Sequence, residues 1–157
     1  MDSFLPAKRP LQKKVQIRVH PRALQAFRRR VRVTPYKPSQ VLRSLLRALA
    51  EGGRLPNRDY LNEEALWERS RPGQAADSKR SGVQWVRLSP DLVESVRLRS
   101  GEYSLAAMAR ALMREYAAGQ RDVSNFALDR ERVQERTRRK ETSSSGRGAS
   151  AREKGLT

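Results

Sequence analysis

The side chains able to do chemistry in this sequence are mostly cationic hydrogen-bond donors. Lysine and arginine number 34 against 17 aspartate and glutamate residues, which gives a formal net charge of +17. The chain has no cysteine and a single histidine, His20, so thiolate nucleophiles, disulfides and Cys/His metal sites are excluded. The sequence also lacks paired carboxylates, a nucleophile–base arrangement and a phosphate-cradling glycine loop. These residues predict a binding protein, not an enzyme, with no cofactor and no metal.

The charge is unevenly distributed along the 157 residues. Residues 1–52 hold 13 basic and 2 acidic side chains, whereas residues 53–82 hold 6 and 5. Residues 83–119 hold 5 and 4, and residues 120–157 hold 10 and 6. The pI of about 11.4 fits DNA, RNA, ribosomes or an anionic membrane surface equally well. No apolar run is long enough to span a membrane, and the N-terminal residues lack the apolar segment of a secretory signal, so we expect a cytoplasmic protein.

Two segments 69 residues apart share one pattern. Val15–Val19 and Gln84–Leu88 each alternate apolar and polar residues, which is typical of a half-buried strand. His20-Pro21 follows the first and Ser89-Pro90 the second. Because Ser caps helices and Pro is favoured in the first helical position, each strand is predicted to lead directly into a helix.

Each predicted strand is followed by two short amphipathic helices. A break separates the helices, at Pro35 and Pro38 in the first copy and at Gly101 and Ser104 in the second. The second helices match at an offset of 67, which makes the first copy two residues longer in its first helix or turn. The matching pairs are Tyr36 and Tyr103, Arg43 and Arg110, Leu45 and Leu112, and Arg47 and Arg114.

One copy of this strand-helix-helix unit is too small to bury a core and leaves its strand unpaired. Two copies solve both problems if their strands pair antiparallel over four helices. The predicted fold is therefore mainly α with a short two-stranded antiparallel ribbon, the two repeats forming one pseudo-dimeric domain. The predicted segments are a flexible basic arm (1–13), repeat 1 (14–53), a linker with a short helix at Asn62–Glu68 (54–82), repeat 2 (83–119), a charged helical extension (120–141) and a disordered tail (142–157).

Three motifs carry a resemblance to a known family. They are Ile17-Arg-Val-His-Pro21, Val86-Arg-Leu-Ser-Pro90, and Gly101-Glu-Tyr-Ser104 opening a helix that contains Arg110. Residues 15–52 and 83–119 resemble the ribbon-helix-helix (Arc/MetJ-type) DNA-binding superfamily. Two units in one chain are similar to its single-chain members: TraY-type relaxosome accessory proteins of plasmid conjugation and the overdrive-binding accessory protein of T-DNA transfer.

The resemblance implies that the ribbon enters the major groove of DNA and reads bases with its outward side chains. The alternation directs Lys14, Gln16 and Arg18 outward on the first strand, and Val83, Trp85 and Arg87 on the second. Of these, we expect base contacts from Lys14, Gln16, Arg18, Trp85 and Arg87. The alternative for the polar residues is an ordinary solvated strand face, and for Trp85 it is packing against the linker or the N-terminal arm.

The resemblance also implies phosphate contacts at the beginning of each second helix, where free N–H groups and the helix dipole favour anions. This implies roles for Lys37 and Ser39 in one repeat and for Ser104 and Leu105 in the other. Both serines are equally interpretable as helix caps. Arg28 is a further candidate for flanking phosphate, although its segment also fits a solvated helix face. The arginines of the second helices are alternatively explained by ion pairs.

The function expected from these features is sequence-specific binding to double-stranded DNA, with an asymmetric site gripped mainly by the first copy. An accessory role at a conjugative or T-DNA-like transfer origin fits best, with a relaxase or other transfer or partition protein as a second partner through the C-terminal tail. A transcriptional repressor or plasmid-partition protein of the same fold is one alternative. A general RNA- or ribosome-associated basic protein is the other.

Overall fold

A computed structural model describes residues 12–70 and 82–137 of the chain. Over these ranges the protein is mainly helical with one two-stranded antiparallel sheet, as the sequence predicts. The elements are β1 (Lys13–Val19), α1 (Pro21–Arg32), α2 (Pro38–Ala50), α3 (Arg58–Arg69), β2 (Gly82–Leu88), α4 (Pro90–Ser100), α5 (Leu105–Ala117) and α6 (125–137). The predictions for residues 1–11, for 71–81 of the linker and for the 142–157 tail lie outside the described residues.

The chain divides into two compact units, of which the first ends at Val123 and the second begins at Ser124. In the second unit, α6 lies inside the predicted charged extension. The Ser124 Oγ accepts a hydrogen bond from the Ala127 N–H at 3.1 Å and so caps this helix. The elements from β1 to α5 belong to the first unit.

The two strands form a ribbon with Lys13 opposite Leu88, Gln16 opposite Trp85 and Val19 opposite Gly82. The alternation of side chains places one face of the ribbon on the helices. The buried apolar residues of that face are Ile17, Val19, Val86 and Leu88. Because successive side chains of a strand point to opposite faces, the polar residues between them form the outer face.

The predicted helix entrances are confirmed. His20 Nδ1 accepts from the Arg22 N–H at 3.2 Å ahead of α1, and Ser89 Oγ accepts from the Leu92 N–H at 3.2 Å ahead of α4. Proline occupies the first position of both helices, where its missing N–H costs no helical hydrogen bond.

The linker helix begins earlier than the sequence predicts. α3 starts at Arg58 and not after Asn62, because Asn57 Oδ1 caps it by accepting from the Asp59 N–H at 2.8 Å. The Asn57 N–H in turn donates to the buried Glu115 of α5 at 3.1 Å. An acidic residue in the first turn, Asp59, also favours this earlier start through the helix dipole.

The helices cross between the two halves of the chain: α1 packs on α5, α2 packs on α4, and α3 lies against α5. Large side chains from α1, α2, α4, α5 and the ribbon form the core, each contributing about 1.5–3 kcal/mol by burial. Its largest members include Phe27, Leu42, Leu45, Leu46, Leu49, Met108, Leu112 and Met113. Over residues 12–70 and 82–137, no helix combines the length and the apolarity needed to cross a membrane.

Candidate nucleic-acid interface

The outer face of the ribbon carries three cross-strand pairs of side chains. Lys14 lies opposite Arg87, Gln16 opposite Trp85, and Arg18 opposite Val83. Lys14, Gln16, Trp85 and Arg87 are exposed, and Arg18 and Val83 are half-buried. The predicted outward orientation of these residues is confirmed, whereas contact with DNA stays a prediction.

Trp85 contributes the largest apolar surface of this face. Its side chain is 45% exposed, and the Lys14 Nζ lies 4.7 Å from the centroid of its ring. This distance is that of a cation–π contact, which orders both side chains at modest free energy. The indole therefore lies on the outer face with a cation over its ring.

The two ends of the outer face lie over different helices. We call the Lys14–Arg87 pair the α2 end, because Arg43 of α2 donates from Nη1 to the Arg87 carbonyl at 3.4 Å. We call the Arg18–Val83 pair the α5 end, because Arg110 of α5 donates from Nη1 to the Arg18 carbonyl at 3.2 Å. The sequence singles out neither carbonyl contact, since it pairs residues far apart in the chain.

The α3 helix supplies the counter-charges of Arg110. The Arg110 Nε donates to Glu64 Oε2 at 2.7 Å, Nη2 donates to Glu68 Oε1, and the guanidinium lies 4.7 Å from the Trp67 ring centroid. The Arg110 side chain is 3% exposed, so these partners replace its hydration. The ion pairing predicted for Arg110 is confirmed, and its partners belong to the linker helix.

Arg114 makes a more exposed version of the same contact one turn further along α5. Its Nη2 lies 2.7 Å from Glu63 Oε2, and its guanidinium lies over the Tyr60 ring at 4.2 Å. Its Nη1 lies 3.4 Å from Glu64 Oε1. Two arginines of α5 and three glutamates of α3 thus join the two helices.

The beginnings of the two second helices differ in charge. At α2 the cap position is the exposed Lys37, whose N–H donates to Gln40 Oε1 at 3.0 Å, and Ser39 is half-buried. At α5 the Ser104 Oγ accepts from the Ala107 N–H at 3.0 Å and lies 2.7 Å from Glu68 Oε1. Ser104 is therefore a cap, as one interpretation of the sequence predicts, and a carboxylate adjoins it.

Leu105 and Arg28 complete the predicted contact set. Leu105 is half-buried at the first position of α5. Arg28 of α1 donates from Nη2 to the Val83 carbonyl at 3.0 Å and lies 3.3 Å from Gln84 Oε1. Gln84 is a polar residue on the inner face of β2, so Arg28 is engaged with the ribbon from below.

A second arginine of α1 acts at the far end of α5. Arg30 Nη1 donates to the carbonyls of Tyr116 and Arg121, and its guanidinium lies 4.1 Å from the Tyr116 ring centroid. Burial raises the pKa of the Tyr116 phenol, and the Arg30 charge opposes that rise. The contact is one of a cation with the face of an aromatic ring.

Comparison with protein-family models, with curated proteins and with solved structures finds no match for this chain.

Proposed function

We propose that this protein binds double-stranded DNA sequence-specifically as a single-chain ribbon-helix-helix protein, reading the major groove with the outer face of its ribbon. The observation that carries the proposal is an antiparallel two-stranded ribbon with one apolar face on the helices and exposed donors on the other. A ribbon of this width fits the major groove of B-DNA, where lysine and arginine donate to guanine and glutamine pairs with adenine.

The strand register supports a pseudo-dimeric arrangement of two repeats. Gln16 pairs with Trp85, and these residues are 69 positions apart, the same offset that relates the strand motifs in sequence. A pairing centred on equivalent residues is what a two-fold axis through the ribbon requires. The crossed packing, α1 on α5 and α2 on α4, has the same symmetry.

Two kinds of arginine contact recur under this symmetry. Arg43 donates to the Arg87 carbonyl, and Arg110, 67 positions later, donates to that of Arg18. Each second helix thus holds the strand of the other repeat.

The other recurring contact closes the far end of each second helix. Arg30 donates to carbonyls at and beyond the end of α5, and Arg99, 69 positions later, donates to the Gly53 carbonyl beyond α2 at 2.9 Å. The change of offset from 69 to 67 corresponds to a difference in the lengths of the first helices and of the connections that follow them. α1 has 12 residues and α4 has 11, and the following connection has five residues in one repeat and four in the other.

The chemistry of the interface separates grip from reading. The cations, including Lys37 at the beginning of α2, attract phosphate and make affinity salt-dependent. Discrimination between sequences depends on Lys14, Gln16, Arg18 and Arg87, with Trp85 in apolar contact at the centre of the face. The role that we propose is that of a DNA-associated accessory factor marking a transfer origin for a relaxase. Repression and plasmid partition use the same geometry.

The proposal is tested by selecting preferred duplexes from a random pool and measuring affinity for the selected and a scrambled duplex. The triple variant Lys14→Ala, Gln16→Ala and Arg18→Ala is expected to reduce discrimination by at least about tenfold, since each base contact contributes about 1–3 kcal/mol. The matched control is the double variant Arg29→Ala and Arg32→Ala on α1. It also removes two positive charges but leaves the ribbon intact.

The control is expected to weaken binding to both duplexes to the same extent and to preserve the ratio of the two affinities. Equal loss of discrimination in both variants would exclude the ribbon as the reading surface. Selection that enriches no duplex, together with equal affinity for RNA, would favour the general RNA-binding alternative.

A further inference from the structure

We propose that α3 is part of the DNA-reading apparatus: Glu68 and Glu64 are positioning residues that fix Arg18 of the ribbon through Arg110. This inference rests on the proposed function. It assigns the linker helix a role in the specificity of one end of the site, beyond joining the two repeats.

Two carboxylates of α3 fix the orientation of the Arg110 guanidinium. Its Nε and Nη2 donate to the carboxylates of Glu64 and Glu68, which lie one turn apart on α3. Because the guanidinium is planar, two directed bonds fix the plane and leave Nη1 pointing in one direction. That direction leads to the Arg18 carbonyl at 3.2 Å.

The bond from Arg110 acts on the backbone position of Arg18. A two-stranded ribbon has open edges on both sides, so its placement over the helices depends on contacts from below. The charged bond from Arg110 reaches the backbone of the residue whose side chain is to read a base. Base contacts require donors held to within about 0.5 Å, and a displaced backbone moves the whole side chain.

The α3 helix forms these bonds by burying a carboxylate, and this burial costs free energy that a simple connector would not incur. Glu64 is buried, and burying a carboxylate is unfavourable unless its charge is paired and its oxygens are hydrogen-bonded. Its pairing with Arg110, with the Trp67 ring beside the guanidinium, meets that condition. The same carboxylate pair thereby couples the linker helix to the α5 end of the ribbon.

The test compares Glu68→Gln with Glu63→Gln. Both replace one carboxylate of α3 by an amide of the same shape and raise the net charge by one. Of the two residues compared, Glu68 bonds Arg110 and Glu63 bonds Arg114. Glu68 is partly solvent-accessible, so Glu68→Gln retains the fold, and thermal unfolding of both variants checks this.

On the selected duplex, Glu68→Gln is expected to reduce discrimination at the base pair assigned to Arg18 by about threefold or more, and Glu63→Gln is not. The assignment comes from the base pair at which Arg18→Ala loses discrimination. In the Arg18→Ala background the effect of Glu68→Gln is expected to disappear, and in the Arg87→Ala background it is expected to persist. An equal effect of Glu68→Gln and Glu63→Gln on every duplex would mean that the carboxylates act by charge alone and would overturn the inference.

Amide hydrogen exchange in the free protein separates this inference from the proposed function. Glu68→Gln is expected to accelerate exchange at Arg18 and Val83 by about threefold relative to Glu63→Gln, with no acceleration at Lys14 and Arg87. Unchanged exchange at the α5 end would overturn the positioning role even if DNA binding is confirmed. Accelerated exchange without any duplex preference would retain the coupling and reject the proposed function, and with it the role in reading.

Discussion

The two ends of the ribbon's outer face differ in how they combine charge and support. At the α2 end, Lys14 and Arg87 place two cations opposite each other. At the α5 end, Arg18 faces the apolar side chain of Val83, so this end carries one cation. For the DNA binding that we propose, we therefore expect the α2 end to contribute more of the salt-dependent affinity than the α5 end.

The α5 end has the more elaborate support from below. The Arg18 carbonyl accepts from Arg110, which α3 holds through Glu64, and the Val83 carbonyl opposite accepts from Arg28. We therefore expect the α5 end to contribute more to base discrimination than to affinity, because direct readout depends on placement more than on net charge.

The pairing of the strands changes where we expect the two halves of the DNA site to differ. The sequence assigns most of the grip to the first repeat, which carries most of the surplus charge. In the antiparallel register, however, each end combines one residue of each repeat, Lys14 with Arg87 and Arg18 with Val83. We therefore expect the two half-sites to differ by ribbon end and not by repeat.

The strongest test of the support at the α5 end is the removal of its arginine. Arg110→Met removes the closer of the two cations beside the buried Glu64 and leaves only Arg114 at 3.4 Å, and we expect a loss of about 3–5 kcal/mol in the free energy of unfolding. The matched control is Arg114→Met on the same helix, whose closer partner Glu63 is 61% exposed and whose contact with Glu64 is the longer one at 3.4 Å, and we expect a cost of about 1 kcal/mol or less. Urea unfolding measures both values, and equal costs would contradict the distinction between a buried and an exposed pair.

Arg28 tests whether a cation of α1 serves the ribbon or the DNA. Arg28→Ala removes donors to the Val83 carbonyl and to Gln84, and we expect a loss of about 1.5–3 kcal/mol in unfolding free energy. Because the guanidinium is engaged beneath the ribbon, the salt dependence of DNA affinity should remain that of the parent. A reduction of the salt slope by about one with unchanged stability would instead assign Arg28 to phosphate.

The sequence predicts the elements and the outer face well because both follow from local patterns. Alternation around Ile17 and Val86 marks the strands, and Ser89 and Ser104 mark helix starts through hydrogen bonds to nearby N–H groups. These signals lie within three residues of the element that they define, so a reader of the sequence can see them.

The sequence does not predict the contacts that make the ends unequal, because they join distant residues. Arg110 and Glu64 are 46 positions apart, and Arg28 and Val83 are 55 apart. The predicted start of α3 is wrong for a related reason, since the structure places the helix cap at Asn57 and not at Asn62. The bond from the Asn57 N–H to Glu115 favours the earlier one.

The smallest predicted effect concerns the missing cation at the α5 end. Val83→Lys places a second cation opposite Arg18 and copies the charge pattern of Lys14 and Arg87. We expect the slope of log affinity against log salt to steepen by about one, with about threefold tighter binding at low salt. Like charges directly opposite destabilise a ribbon by about 0.2–1 kcal/mol, so unfolding is measured alongside.

The matched control is Leu55→Lys, an apolar-to-lysine substitution at a residue 44% exposed in the connection between α2 and α3. It raises the net charge equally and should steepen the salt dependence less than Val83→Lys does. If the two variants respond alike, net charge alone governs binding and the outer face has no special role. If only Val83→Lys tightens binding, and the protected footprint extends on one side, the half-site that gains protection is the one that the Arg18–Val83 end contacts.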